Sequence, residues 1–234
     1  MTETTKQTAI ELINIHKDYT IESARVEALR GVSLKIPEAA VVALTGKSGA
    51  GKSTLLHIIG TLDRPTSGTV LIGGSDVSLM DDKELSRFRN RAVGFIFQMN
   101  NLLPEFTALE NVMMPCIISG LPKSAVHQRA TELLSSVGLG QRLHHKPGEL
   151  SGGEQQRVAI ARSMVMNPTL IVADEPTGNL DRKTSLIIQD LLLDLVRAHR
   201  MTMLMVTHDM ELAKRLPSQI MMEDGLVAMD GVLH

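Results

Sequence analysis

Residues 41–54 read VVALTGKSGAGKST. Val41-Val42-Ala43-Leu44-Thr45 is a short apolar run rich in β-branched residues, which predicts a buried strand. Gly46-Lys47-Ser48-Gly49-Ala50-Gly51-Lys52-Ser53 follows directly and fits the pattern G-x-x-x-x-G-K-[ST]. Lys52 to Ile59 then predicts a helix. Strand, glycine-rich turn and helix, in that order, make a cradle for phosphate. Glycines let the backbone wrap close to phosphate oxygens with its N–H groups turned inward, and the helix start adds partial positive charge. Lys52 is placed to reach β- and γ-phosphates, Ser53 to offer its hydroxyl to Mg²⁺, and Thr54 to bond a phosphate oxygen.

Working outward, apolar runs and helical patterns alternate. Ala9 to Ile15 and Ala28 to Ile36 predict strands near the N-terminus. Thr69 to Ile72 predicts another, stopped by Gly73-Gly74. A charged helix is expected over Asp81 to Arg91 and a buried strand over Gly94 to Phe97, leading to Gln98. From about 99 to 166 the chain turns mostly helical, broken by a loop rich in Gly, His and Pro around Gly138 to Gly148. Leu170 to Ala173 predicts a strand, Thr184 to Ala198 a helix with an apolar stripe on Leu186, Ile187, Leu191 and Leu195, and Met203 to Val206 a last strand. The alternation predicts an α/β fold: a mainly parallel sheet, an antiparallel β part at the N-terminus, and a helical subdomain inserted at approximately 99–166. The whole chain, 1–234, reads as a single domain of this type.

Composition narrows the function. The chain has 234 residues and a formal net charge of -2, so no global basic field points to nucleic acid. With no Trp and the single Tyr at Tyr19, base-stacking platforms for single strands are not expected. The one cysteine, Cys116, rules out an internal disulfide. Met1 to Leu12 lacks the basic start and apolar run of a signal peptide. No stretch approaches the ~18 apolar residues of a spanning helix. Direct insertion into lipid is therefore not expected, and any link to a membrane runs through a partner.

Leu170 to Ala173 ends in Asp174-Glu175. Side chains alternate along a strand, so the two acids point differently. One can serve a metal while the other faces an attacking water. Asp174 is assigned to Mg²⁺, and Glu175 to general base or water orientation.

Leu150-Ser151-Gly152-Gly153-Glu154-Gln155-Gln156-Arg157 holds a second anion site. Ser151 is a good N-cap, and Glu154 completes a capping box for a helix expected over Glu154 to Val165. Capping does not explain Gly152-Gly153, which cost helix stability and instead permit close approach of another backbone or a phosphate.

This octet resembles the signature of the ABC ATPase family, whose members share a P-loop NTPase core. Further marks fall in the family's order: Tyr19 where an aromatic stacks on adenine, Gln98 at the Q-loop, Asn179-Leu180-Asp181 at the D-loop, and His208 at the switch histidine. The resemblance covers essentially the whole chain. It implies ATP and Mg²⁺ as cofactors, with Gln98 serving both metal and catalysis and His208 catalysis. It also implies a dimer with two ATP molecules sandwiched between copies. Ser151, Gly152 and Gly153 of one copy, with Asp181 nearby, would close on the γ-phosphate gripped by Lys52 of the other.

Within the family, residues 62–68 (LDRPTSG) and 173–181 (ADEPTGNLD) are similar to the subgroup serving lipoprotein release, macrolide export and cell division. Residues 101–112 (NLLPEFTALENV) and 144–151 (HHKPGELS) resemble the lipoprotein-releasing members most. That resemblance implies transmembrane permease partners of the LolC and LolE kind and a peripheral place on the cytoplasmic side of a bacterial inner membrane. Leu102, Leu103 and Phe106 are the candidate groove for a partner's helix. A MacB-type export or FtsE-type cell-division system is the alternative within the subgroup. A small-molecule kinase would share the cradle but has no use for residues 150–157. DNA-repair members carry a long coiled coil between cradle and signature, whereas here about 100 residues intervene without a long heptad run.

Overall fold

The computed structural model describes residues 7–21 and 24–228. The chain divides into two compact units, Met1–Ser86 with Arg200–His234, and Arg87–His199. In chain order, β1 (Thr8–Ile21), β2 (Ala24–Pro37), β3 (Val41–Gly46), α1 (Lys52–Ile59), β4 (Ser67–Ile72) and β5 (Ser75–Asp76) lie in the first unit. α2 (Asp82–Ala92) carries the chain into the second, which holds β6 (Val93–Phe97), α3 (Ala108–Ile118), α4 (Lys123–Ser136), α5 (Gly152–Met164), β7 (Leu170–Asp174) and α6 (Arg182–Ala198). The chain returns to the first unit with β8 (Thr202–Val206), α7 (Met210–Arg215), β9 (Ser218–Glu223) and β10 (Leu226–Ala228).

Two sheet arrangements build the first unit. One is antiparallel, in the order β2-β1-β4-β5. In the other, β3 lies between β8 and β9 and is parallel to both, while β10 pairs antiparallel with β9. From Val41 to Thr45 every residue of β3 is buried, as an uninterrupted apolar run in a parallel sheet requires. β1 and β2 run far beyond the expected Ala9 to Ile15 and Ala28 to Ile36. In β2, burial alternates only from Leu29 to Ile36, whereas Ala24 to Glu27 are exposed. The outer half is held by ladder pairing, Asp18 with Glu27, Tyr19 with Val26 and Thr20 with Arg25, and so carries no hydrophobic signal.

In the second unit β6 and β7 pair parallel, with Phe97 opposite Asp174. α5 packs directly on β6. A Cβ on Gly94 would stand 2.2 Å from the Ser163 carbonyl oxygen, so only glycine allows that approach. The buried stripe of α6 is Ile188, Gln189, Leu192, Leu193 and Val196, rotated from the expected one; Leu186 and Ile187 are exposed. The residues of that expected stripe lie beside the buried face, which choosing apolar residues by identity alone does not separate from it. Among the described residues no helix is long and apolar enough to cross a membrane.

Candidate functional site

The predicted cradle forms within the first unit, where β3 ends at Gly46 and α1 begins at Lys52. Gly46, Gly49 and Gly51 have φ of 142, 79 and 95°, in the region that favours glycine. Gly46 and Gly51 are also fixed by crowding. A Cβ on Gly46 would meet the Met222 carbonyl oxygen at 2.2 Å, and one on Gly51 the Ala28 carbonyl oxygen at 2.6 Å. Around Gly49 a Cβ would meet nothing within 4 Å, so the tip of the loop is open. Ser48 and Gly49 are exposed, and Ala50 is buried beneath them.

Lys52 is only 6% exposed. Its Nζ donates to the carbonyl oxygens of Gly46 at 2.9 Å and Lys47 at 2.8 Å, folding the ammonium over the loop. α1 starts without a side-chain cap and without an acid in its first turn. The other helices that frame the motifs are capped by their own residues: α3 by Thr107, α5 by Ser151, α6 by Asp181 and α7 by Asp209. The first N–H groups of α1 thus have no side-chain cap, and a helix start of this kind can accept an anion. Ser53 is exposed and Thr54 half-buried at this start.

His208 reaches the same end of the sheet. β3 and β8 run parallel with Leu44 opposite Val206, and Thr207 N–H donates to the Leu44 carbonyl at 3.4 Å. His208 therefore leaves its strand level with Gly46. It is exposed, between buried Thr207 and the Asp209 cap of α7.

In the second unit, the ends of the β6 and β7 strands bring Gln98, Asp174 and Glu175 together. Gln98 follows Phe97 and Glu175 follows Asp174, on neighbouring parallel strands. Glu175 has φ of 45°, uncommon for a residue with a Cβ and a local strain held by its surroundings. Both acids are half-buried. Gln98 Nε2 donates to Asn179 Oδ1 at 3.0 Å, and Asn179 Nδ2 donates back to the Gln98 carbonyl at 3.2 Å. This reciprocal pair ties the Q-loop to the D-loop. Sequence reading places Asn179 in the D-loop without giving its side chain a partner. Its signal was its place next to a turn, between Gly178 and the Asp181 cap.

The signature segment also sits in the second unit. α5 begins at Gly152 rather than at Glu154, so both glycines occupy its first turn. Ser151 N–H and Oγ–H donate to Glu154 Oε2 at 2.8 and 2.9 Å, and Glu154 N–H donates to Ser151 Oγ at 3.3 Å, completing the capping box. Arg142 Nε stands 3.4 Å from Glu154 Oε1. Gly153 has an internal reason to be glycine, since a Cβ there would meet Thr184 Cγ2 of α6 at 2.6 Å. Part of the glycine requirement is thus close packing inside the chain. Gly152 and Ser151 are exposed. Asp181 accepts from Thr184 N–H at 3.0 Å.

Ser151 hydrogen bonds hold the Glu154 carboxyl below its ordinary 4.5, with Arg142 and His145 adding to the effect. The Thr107 N–H and hydroxyl do the same for Glu110. A carboxyl lowered in this way stabilises the fold above its ordinary value, and the contribution disappears as pH falls through the lowered one. Circular dichroism melts should therefore shift down on acidification below about 4.5, by roughly 2–4 °C for each capping box lost. In Glu154→Gln the acid-dependent part of the shift should shrink; an unchanged profile would show that the box adds nothing.

The loop after Gln98 is held by Asn111, which is fully buried. Its side chain accepts from Leu103 N–H at 2.8 Å and donates to the carbonyls of Leu103, Phe106 and Thr107 at 3.0–3.1 Å. Arg162 donates to the Asn100 and Asn101 carbonyls at 2.6 and 2.7 Å. The loop so fixed presents Leu103 and Phe106 at 39% and 38% exposure, with Leu102 half-buried.

Known proteins resemble this chain over nearly its whole length. The sequence model of the ABC transporter family matches residues 29–178. The lipoprotein-releasing system ATP-binding protein LolD of Syntrophus aciditrophicus is 53% identical over 216 residues, covering 92% of this chain and 97% of that protein. The LolD protein of Geobacter metallireducens is 52% identical, covering 94% and 98%. Among solved structures, the dimeric ATP-binding cassette MJ0796 in a post-hydrolysis state with ADP and Pi superposes with a TM-score of 0.87 at 41% identity, covering 96% of this chain and 99% of that one. The bare helix start behind a glycine cradle, the capped signature helix and these likenesses agree: the chain belongs to the ABC transporter family, as one of its ATP-binding cassettes.

Proposed function

We propose that the chain is the ATP-hydrolysing subunit of a bacterial lipoprotein-releasing transporter, acting as one half of a dimer that sandwiches two ATP molecules. The contrast between two helix starts carries the mechanism. α1 begins bare and takes the phosphates of the copy's own ATP, whereas α5 begins already capped and offers Ser151 outward. In this reading Gly46, Ser48, Gly49, Ala50, Gly51, Lys52 and Thr54 hold the phosphates and Tyr19 the base. Ser151, Gly152, Gly153 and Asp181 belong to the face that closes on the partner copy's nucleotide.

The donor set suits Mg²⁺. Ser53 offers an exposed hydroxyl in the first unit; in the second, Asp174 and Gln98 offer hard oxygen donors at neighbouring strand ends. Among the described residues no cluster of three or more His, Cys, Asp or Glu side chains forms a cage. Serine, carboxylate and amide oxygens of this kind would suit a hard cation such as Mg²⁺. When bound it would neutralise charge on the transferring phosphoryl group. Glu175 then takes the proton of the attacking water, and His208 contacts the γ-phosphate end of the cradle. Loss of that contact on hydrolysis loosens the dimer, since a ligand that binds only the closed form stabilises it by its own affinity.

Ser151→Arg tests the shared site. ATP affinity of the isolated subunit should remain within about twofold, while turnover falls by roughly two to three orders of magnitude, as for loss of one group that contacts the reacting phosphate. Unaffected hydrolysis would refute the role of Ser151 on the partner's nucleotide.

Lipoprotein release is supported by the extent of identity to the LolD proteins over nearly the full length of both chains. The partners are then permease subunits of the LolC and LolE kind, met at Leu102, Leu103 and Phe106 on the cytoplasmic face of the inner membrane. Purification from detergent-solubilised membranes should yield those subunits. Recovery of a MacB-type or FtsE-type partner would assign the chain to a sister system.

A further inference from the structure

Tyr19 does not stand alone. Its hydroxyl donates to Asp63 Oδ2 at 2.7 Å. The other carboxylate oxygen, Oδ1, accepts from Lys17 Nζ at 2.7 Å and from Arg64 N–H at 2.7 Å. The Lys17 ammonium also donates to the Arg64 carbonyl at 2.8 Å and lies 4.8 Å from the centre of the Tyr19 ring. Lys17 is 13% exposed and Asp63 30%, so this is not a loose surface pair. Asp63 is itself seated on the end of α1, where the N–H groups of Leu62 and Asp63 donate to the His57 carbonyl at 2.8 and 3.3 Å. One end of α1 therefore forms the phosphate cradle and the other fixes the carboxylate that anchors the ring.

We propose that Lys17 and Asp63 are positioning residues for the purine base: Asp63 locks the Tyr19 hydroxyl, and Lys17 occupies one face of the ring, leaving the opposite face to the adenine. The inference rests on the reading of Tyr19 as the base-stacking residue and adds the groups that orient it. Two physical effects make the clamp useful. A ring fixed before binding loses less freedom when the base arrives. A cation held against one face draws π density toward itself, which makes the opposite face a better stacking partner for an electron-rich purine. Asp63 keeps that cation in place. Although burial pushes the Asp63 carboxyl up, the Lys17 ammonium and the Tyr19 hydroxyl hold it below its ordinary value, so it stays charged at neutral pH.

The test compares two ligands of the same cradle, MgATP and magnesium tripolyphosphate, which has no base. Dissociation constants are measured by calorimetry on the whole purified chain. Tyr19→Ala, which deletes the ring, should weaken ATP more than tripolyphosphate. Tyr19→Phe, which keeps the ring and loses the anchor, Asp63→Asn and Lys17→Met should each raise the ATP constant about three- to tenfold. The tripolyphosphate constant should hold within about twofold in Asp63→Asn and Lys17→Met, which leave the cradle residues in place; the Tyr19 hydroxyl also bonds Thr54 at the start of α1, so a tripolyphosphate change confined to the Tyr19 variants reports that bond. If Tyr19→Ala weakens ATP while the other variants bind it normally, the clamp is refuted and the stacking role survives. If Tyr19→Ala binds ATP normally, the stacking role falls and the clamp with it. Parallel losses for both ligands in Lys17→Met and Asp63→Asn would overturn the proposal by making the pair a support of the phosphate site.

Discussion

Glu175→Gln will bind ATP and keep it. The amide matches the carboxylate in size, so the strained turn that follows β7, with φ of 45° at this residue, is undisturbed. What is lost is the ability to accept a proton from water. Removal of a general base costs roughly two to four orders of magnitude in rate. ATP that is not cleaved continues to bridge two copies. Size exclusion with light scattering should then show a persistent dimer in MgATP, against a transient one for the unaltered chain. Near-normal phosphate release, or a monomer under saturating ATP, would remove Glu175 from the chemistry.

Lys52→Ala fails at an earlier step. The buried ammonium joins the Gly46 and Lys47 carbonyls, so its loss loosens the loop, and in the proposed reading it also deletes the charge that meets the phosphates. A hydrogen bond to a charged group contributes about 1.5–3 kcal/mol, so ATP affinity should drop by at least about tenfold and turnover should vanish. Titration with a fluorescent nucleotide separates this variant from Glu175→Gln: one loses binding, the other only cleavage. Unchanged affinity in Lys52→Ala would mean that the glycine loop is not the phosphate site.

The cradle was the most legible part of the chain because its residue types are dictated locally. Gly46 and Gly51 are glycine for backbone reasons, and a buried strand and a helix flank them in sequence as in space. The capping box of Ser151 and Glu154 was legible for the same reason. What escaped was set by distant contacts. Gly46 is crowded by Met222, far along the chain, and Gly153 by Thr184 on another helix. β9 and β10 were overlooked, although Asp224-Gly225 is a hairpin signal and both residues take positive φ, 47 and 76°, as a two-residue turn demands. The outer halves of β1 and β2, which carry Tyr19, have no apolar alternation to betray them. Lys17 and Asp63 are scattered charges in sequence and one cluster only after folding. The chain order of Tyr19, Gln98, Asp181 and His208 was informative through family resemblance, since the residues taken singly are ordinary.

The bracing of the cradle has a consequence for synthesis. The loop around Gly46 to Gly51 is made early on the ribosome, yet Met222 closes over Gly46 and the Gly225 N–H donates to the Ala50 carbonyl at 3.2 Å. β3 also needs β8 and β9 as its neighbours. Such long-range pairings form late, after the entropy of a long loop has been met. A nascent chain that ends before β9 lacks both the Met222 and the Gly225 contacts that brace the loop. The bracing of the loop is thus completed only by the last strands of the fold.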